Sequence, residues 1–298
     1  MAVVLLALVL TIGAATGVVL LFTARASSPR ELDAWARSYG LVLTPGNRAP
    51  VTYYVRLVIV TRVVAAVAGV VLGSAFDAAF GLHTSAAPGW WAWLIGGWTF
   101  GAWWAERELR WPAGSGVASL LPRRVADYLP GRLRAAPFVA LGIVAGLVAY
   151  GWTSSRTDPA LVHPRGNEPP PSVGYLVAVL AVGAAVTALT TLGVWRTVSR
   201  RQPALAPDQL AADDAIRTST AHQLTGGGTA VVLCVAAVLA GTLGWSSTTS
   251  GVTSGPLLTG SIALWLAAMV SWRYYTYRAW RVRRLRPAPE HASALAAT

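Results

Sequence analysis

The sequence predicts an all-α fold: a polytopic transmembrane helical bundle of about seven spans, with short amphipathic helices on its inner face. Three observations predict this fold. The 298 residues are 54% hydrophobic and only 12% charged, against about 25% charged residues in a typical soluble domain. Long apolar stretches recur along the chain, and the arginines are concentrated in alternate connecting segments. Lipid must therefore cover much of the protein surface.

Seven stretches have the roughly 17–25 mainly apolar residues that a spanning helix needs. They are residues about 2–22, 60–82, 88–105, 135–152, 173–195, 227–245 and 256–273. No Asp, Glu, Lys or Arg occurs between Arg217 and Arg273, and the polar segment 246–255 divides this run into a hairpin of two spans. We assign residues 1–286 to a single transmembrane helical domain and residues 287–298 to a flexible C-terminal tail.

The arginines predict the orientation of the spans. All 24 basic residues are Arg, and nearly all lie in residues 23–59, 106–134 and 196–226 or in the C-terminal segment. The opposite connections carry only Arg156 and Arg165. Because basic residues favour the cytoplasmic side, the N-terminus is expected outside and the C-terminus inside. A charge spread over one membrane face favours an anionic inner leaflet as partner and argues against nucleic acid.

The inner segments predict two short helices. The first begins after Ser28, a capping residue, and ends at Gly40. One of its faces is apolar, and we expect that face to rest on the inner leaflet: Leu32, Trp35, Ala36 and Tyr39. The second helix runs from Pro207 to about Leu224, where Asp213 and Arg217 are spaced to pair one turn apart.

Asp77 is the one carboxylate that could lie within a span. Its closeness to the outer loop favours an acid at headgroup level, while a functional intramembrane acid stays open. Arg56 and Arg62 are expected to extend to the inner interface, with a polar path as the alternative. The segment Glu106-Arg107-Glu108 is interpreted as a charged end of the third span, and action on a lipid headgroup is the alternative.

The C-terminal segment interleaves arginines with aromatic residues and is expected to contact anionic lipids. The last helix should continue past the membrane as far as Pro287. The predicted lipid contacts are Arg273, Arg278, Arg281, Arg283, Arg284 and Arg286.

The sequence assigns no catalytic, cofactor-binding or metal-binding residue. Cys234 is the only cysteine, and no two of the four histidines have a metal-ligand spacing. The sequence contains no catalytic motif of known mechanism, and it therefore favours a non-enzymatic protein.

Two segments carry a resemblance to known proteins. They are the run from Ala34 to Arg48, AWARSYGLVLTPGNR, and the segment Asp127-Tyr-Leu-Pro130. Both resemble segments of uncharacterised polytopic integral membrane proteins of actinobacterial type. The resemblance implies a multi-helix fold in a bacterial cytoplasmic membrane and carries over no catalytic residue.

Three functions are then open. A non-enzymatic membrane scaffold, assembly or regulatory component fits the shortage of polar groups within the spans. Its partner would be another membrane protein or a second copy of the chain. A transporter or permease subunit would need polar faces near the midplane, for which Thr187, Thr190 and Thr191 form the best cluster. A lipid-processing enzyme is the third alternative.

Overall fold

The computed structural model describes residues 28–80, 87–109, 123–157, 171–200, 206–247 and 254–277. Of residues 76–80, 87–88, 155–157, 245–247, 254 and 276–277 it describes the backbone only. These ranges contain eight α-helices and no strand, which confirms the all-α fold. In chain order the helices are α1 Pro29–Tyr39, α2 Pro45–Phe80, α3 Ala87–Glu108, α4 Val125–Tyr128, α5 Gly131–Thr157, α6 Val173–Ser199, α7 Pro207–Ser247 and α8 Ser254–Tyr277.

Five helices are long and apolar enough to cross a membrane. Their apolar segments are Pro45–Ala75, Gly131–Ser154, Val173–Ser199, Pro207–Gly244 and Gly255–Tyr275. The predicted third span is a helix, α3, but it is not one of these five because Trp and Gly make up much of its length. The predicted first span, residues 2–22, lies outside the described residues. The predicted break between the last two spans is confirmed, since α7 ends at Ser247 and α8 begins at Ser254.

Helix α7 is the axis of the bundle. It packs against α3, α5, α6 and α8, and its first half also contacts α2. In the 18-residue apolar stretch of α7, 78% of the residues are buried. In the corresponding stretches of the other four apolar helices, only 11–22% of the residues are buried. The other helices therefore present most of their apolar surface outward, as membrane-facing helices do.

Helix α7 is one continuous helix of 41 residues. The sequence-based expectation of a short helix to about Leu224, separate from a span at 227–245, is therefore wrong. The chain between them contains Gly226, Gly227 and Gly228, which lower helix propensity by about 1 kcal/mol each. Packing against neighbouring helices outweighs that cost.

Each of the three glycines faces a different neighbour, because consecutive helical residues point about 100° apart. A Cβ atom at Gly226 would overlap the Tyr275 Cβ of α8. At Gly227 it would meet Thr99 of α3, and at Gly228 it would meet Thr190 of α6. The missing side chains let three helices touch the α7 backbone at one level.

Helices α2 and α3 also cross closely. A Cβ atom at Gly97 or Gly101 would lie against the backbone carbonyl of Ala65 or Thr61, respectively, on α2. Gly97 and Gly101 are four residues apart, the spacing that lets two membrane helices contact through their backbones.

Helix α1 has the predicted ends. The Ser28 hydroxyl accepts a hydrogen bond from the Glu31 backbone N–H at 3.3 Å, and Gly40 closes the helix with a φ of +68°. Its apolar face is covered by protein and does not rest on the leaflet as expected. This face packs against Val51 of α2 and against Ala212 and Ala215 of α7. The reason is that α2 and α7 both extend beyond the predicted spans and form a surface there.

The connection between α1 and α2 is held to the start of α7. The Asn47 side-chain amide donates to the backbone carbonyls of Val42, at 3.0 Å, and Asp208, at 3.2 Å. The Thr44 hydroxyl donates to the Asp208 carboxylate. These bonds explain why α2 begins at Pro45, well before the predicted start near residue 60.

Candidate functional site

Six charged side chains meet where the end of α3, the end of α6 and the first turns of α7 come together. We call this region the charged end of the bundle. Its members are Glu106, Arg123, Arg200, Asp213, Asp214 and Arg217. Three guanidinium groups face three carboxylates, so the formal charges balance.

Asp213 is at the centre of the charged end. Its Oδ2 atom lies 2.8 Å from the Arg217 Nε, which confirms the predicted pairing one helical turn apart. Its Oδ1 atom accepts from the Arg200 Nη2, also at 2.8 Å. The side chains of Asp213 and Arg217 are fully buried. One carboxylate therefore contacts two arginines, one within α7 and one that caps the C-terminus of α6.

Arg217 also caps the end of α6. Its Nη1 donates to the backbone carbonyls of Thr197 at 3.2 Å, Val198 at 3.3 Å and Arg200 at 2.7 Å. Carbonyls at a helix C-terminus lack partners within the helix and carry partial negative charge, so a guanidinium is well suited to this position. The contact fixes the end of α6 to the third turn of α7.

Glu106 connects α3 to the same group. Its Oε1 lies 2.9 Å from the Arg200 Nη1, which also donates to the Glu106 backbone carbonyl at 3.0 Å. Burial raises the pKa of the Glu106 carboxyl, and the nearby Arg200 opposes that rise. Glu106 thus lies at the end of α3, as the sequence predicts, but its side chain is buried inside the bundle. Arg107 and Glu108, in contrast, are exposed.

The segment around α4 joins through Asp214. An Asp214 carboxylate oxygen lies 3.0 Å from the Arg123 Nη2 and accepts from the Tyr128 hydroxyl at 2.8 Å. Burial first, and then the Asp214 charge, raises the pKa of Tyr128. The phenol therefore stays protonated and acts as a hydrogen-bond donor.

Directly after Arg217, α7 carries a run of buried polar side chains, which we call the polar stretch. Its members are Thr218, Ser219, Thr220, His222, Gln223, Thr225 and Thr229. The Tyr54 hydroxyl lies 3.1 Å from the Thr220 Oγ1, and the Gln223 amide donates to the Ser219 hydroxyl at 2.9 Å. Thr225 and Thr229 donate to carbonyls one turn earlier in α7. These contacts are internal to the bundle.

Arg62 lies inside the bundle, against the expectation that it extends to the interface. Its side chain is buried, and its guanidinium carbon lies 5.5 Å from the centre of the Trp98 ring of α3. The aromatic face offers an attractive surface to a cation. Arg56, six residues earlier, is exposed, as predicted for an interfacial residue.

The remaining predicted site residues are not brought together. Asp77 belongs to α2, but its side chain lies outside the described residues. Arg273 is exposed on α8, and the other predicted lipid contacts, from Arg278 onward, lie outside the described residues. Of the predicted threonine cluster on α6, Thr187 and Thr190 are buried and Thr191 is exposed. Within the described ranges, no group of three His, Cys, Asp or Glu residues could hold a metal ion.

Together, the fold and the charged end define a class of protein: an all-helical protein with five helices suited to crossing a membrane, joined at one end by buried ion pairs. No model of a protein family matches the chain. Comparison with the curated proteins and with the solved structures also finds no match.

Proposed function

We propose that the protein is a non-enzymatic scaffold, an assembly or regulatory component of a bacterial cytoplasmic membrane. The observation that carries the proposal is how α7 uses its polar groups. Its Asp213, Asp214 and Arg217 form ion pairs within the bundle, and its glycines are covered by neighbouring helices. A carrier instead needs polar groups that meet near the midplane and are free to bind a solute.

The surface supports a role in assembly. The outer faces of α5, α6 and α8 carry large exposed apolar side chains, among them Phe138, Val182, Leu189 and Ile262. Faces of this kind can contact lipid or another membrane protein without exposing polar backbone. The rigid ion-paired end would hold these faces in a fixed relation to one another.

The proposed topology has seven spans: the five apolar helices, α3 and residues 2–22. The charged end would face the cytoplasm, because Arg123 and Arg200 belong to the Arg-rich segments. Cysteines introduced at Ser172 and Ser247 should be labelled by an impermeant thiol reagent in intact cells. A cysteine at Ser115 should be labelled only after permeabilisation, and its labelling in intact cells would refute the orientation.

The scaffold proposal is tested by extracting the full chain from its membrane directly into polymer-bounded lipid discs. We expect an assembly of fixed stoichiometry, with a second membrane polypeptide or a second copy of the chain. The Gly227→Ala variant should reduce the amount of that assembly, while Gly142→Ala, at an uncovered position on α5, should leave it unchanged. Recovery of single chains with nothing attached would refute the proposal.

A transporter or permease subunit is the second candidate, favoured by the polar stretch of α7 and by the buried Arg62. Buried ionisable and polar groups within membrane helices often line solute pathways. The two candidates differ in water access: the transport alternative needs the polar stretch to open to solvent in one conformation, and the scaffold does not.

A further inference from the structure

We propose that a groove on the first three turns of α2 binds the phosphate group of an anionic phospholipid. The groove has a volume of about 510 Å³ and is open along one side. It is lined by Pro45, Arg48, Ala49, Thr52, Tyr53 and Arg56. It is distinct from the charged end of the bundle.

The charge of the groove identifies the chemical class of its ligand. Arg48 and Arg56 are both exposed, and among the described residues no carboxylate forms an ion pair with either of them. They are eight residues apart on one helix, so their Cα atoms lie about 12 Å apart along its axis. The Thr52 side chain lies between them on the same wall. Guanidinium groups bind phosphate oxygens through paired hydrogen bonds.

The apolar surface next to the groove favours a lipid as the source of the phosphate. Tyr53 is 55% exposed, and aromatic residues of this kind favour the headgroup level. Val64 and Val71, which are 56% and 49% exposed, follow Tyr53 by eleven and eighteen residues. These spacings return to nearly the same face of a helix with 3.6 residues per turn. An acyl chain can therefore lie along α2 while its phosphate occupies the groove.

The test uses the full chain in discs that contain phosphatidylglycerol or only phosphatidylcholine, and it measures the anionic lipid retained by native mass spectrometry. We expect the double variant Arg48→Ala/Arg56→Ala to lower the affinity for phosphatidylglycerol about tenfold. The matched control is Arg30→Ala/Arg37→Ala, which removes the same charge from exposed positions of α1. This control should bind like the wild type.

Two further measurements keep the proposal falsifiable. Ala49→Trp fills the groove but keeps both arginines, so it should reduce binding as the double Ala variant does. Soluble glycerol phosphate should not displace the lipid, because it lacks the acyl chain. Equal losses in the two double variants, wild-type binding by Ala49→Trp, or displacement by glycerol phosphate would each overturn the proposal.

Discussion

At the scale of single residues, the charged end depends on Asp213. Its carboxylate contacts Arg200 and Arg217 at 2.8 Å each, and Arg217 is fully buried. A buried ion pair adds little net stability, because desolvation offsets the attraction between the charges. Removing one partner is different, because it leaves the other charge buried without compensation.

We therefore expect Asp213→Asn to lower the free energy of unfolding by about 3 kcal/mol, while keeping the side-chain volume. Asp214→Asn is the control, because Asp214 and its partner Arg123 are less buried and the loss should be smaller. Thermal unfolding of both variants in the same detergent measures the difference. Equal midpoints for Asp213→Asn and the wild type would contradict the expected cost of leaving Arg217 buried without its partner.

The pH dependence of stability should report on Glu106. Burial raises its pKa above the ordinary value of 4.5, so the folded protein binds this proton more tightly than the unfolded chain does. The stability from this group is present below pH 4.5 and is lost as the pH rises through the raised pKa. Glu106→Gln cannot ionise, so its stability relative to the wild type should increase as the pH rises above 4.5 and through the raised pKa of Glu106.

Glu108→Gln is the matched control for the substitution itself, since Glu108 is exposed and only two residues away. Unfolding midpoints across the pH range measure both variants. A wild type that gains stability over Glu106→Gln as the pH rises would mean that the Arg200 ion pair outweighs burial.

At the scale of elements, the ends of α1 could be predicted and the continuity of α7 could not. The cap at Ser28 and the left-handed Gly40 are local features, which the sequence displays within a few residues. The residues Gly226–Gly228 have the local signature of a helix break. They remain helical because Thr99, Thr190 and Tyr275 occupy the space of their missing side chains.

Gly227→Ala tests that explanation. The added Cβ would overlap the Thr99 hydroxyl and lie 2.9 Å from the Thr99 Cβ, so α3 and α7 would have to separate. We expect a loss of about 1–3 kcal/mol in the free energy of unfolding. Gly142→Ala has no atom within 4 Å of the added Cβ, and it should be neutral or slightly stabilising. Equal stability of the two variants would contradict close packing at Gly227.

At the scale of the whole molecule, composition and apolar periodicity predicted the helical class, but not how the helix ends join. The Asp213–Arg217 pair was predictable because both residues lie on one helix. Glu106 and Arg200 are 94 residues apart, and nothing local to either marks the other as its partner. The same holds for the docking of α1 on α2 and α7, which requires knowing that both helices extend beyond their apolar segments.

The central claim is that α7 is the sealed axis of the bundle, as a scaffold requires. The sole native cysteine, Cys234, is buried on α7. Labelling of a cysteine introduced elsewhere can therefore be measured with little contribution from Cys234. Thr220→Cys and Thr229→Cys should react with a water-soluble thiol reagent about a hundredfold more slowly than Ser172→Cys, an exposed control, because both threonines are buried in the polar stretch. Rapid labelling of both α7 positions would contradict the account and show a water-filled path.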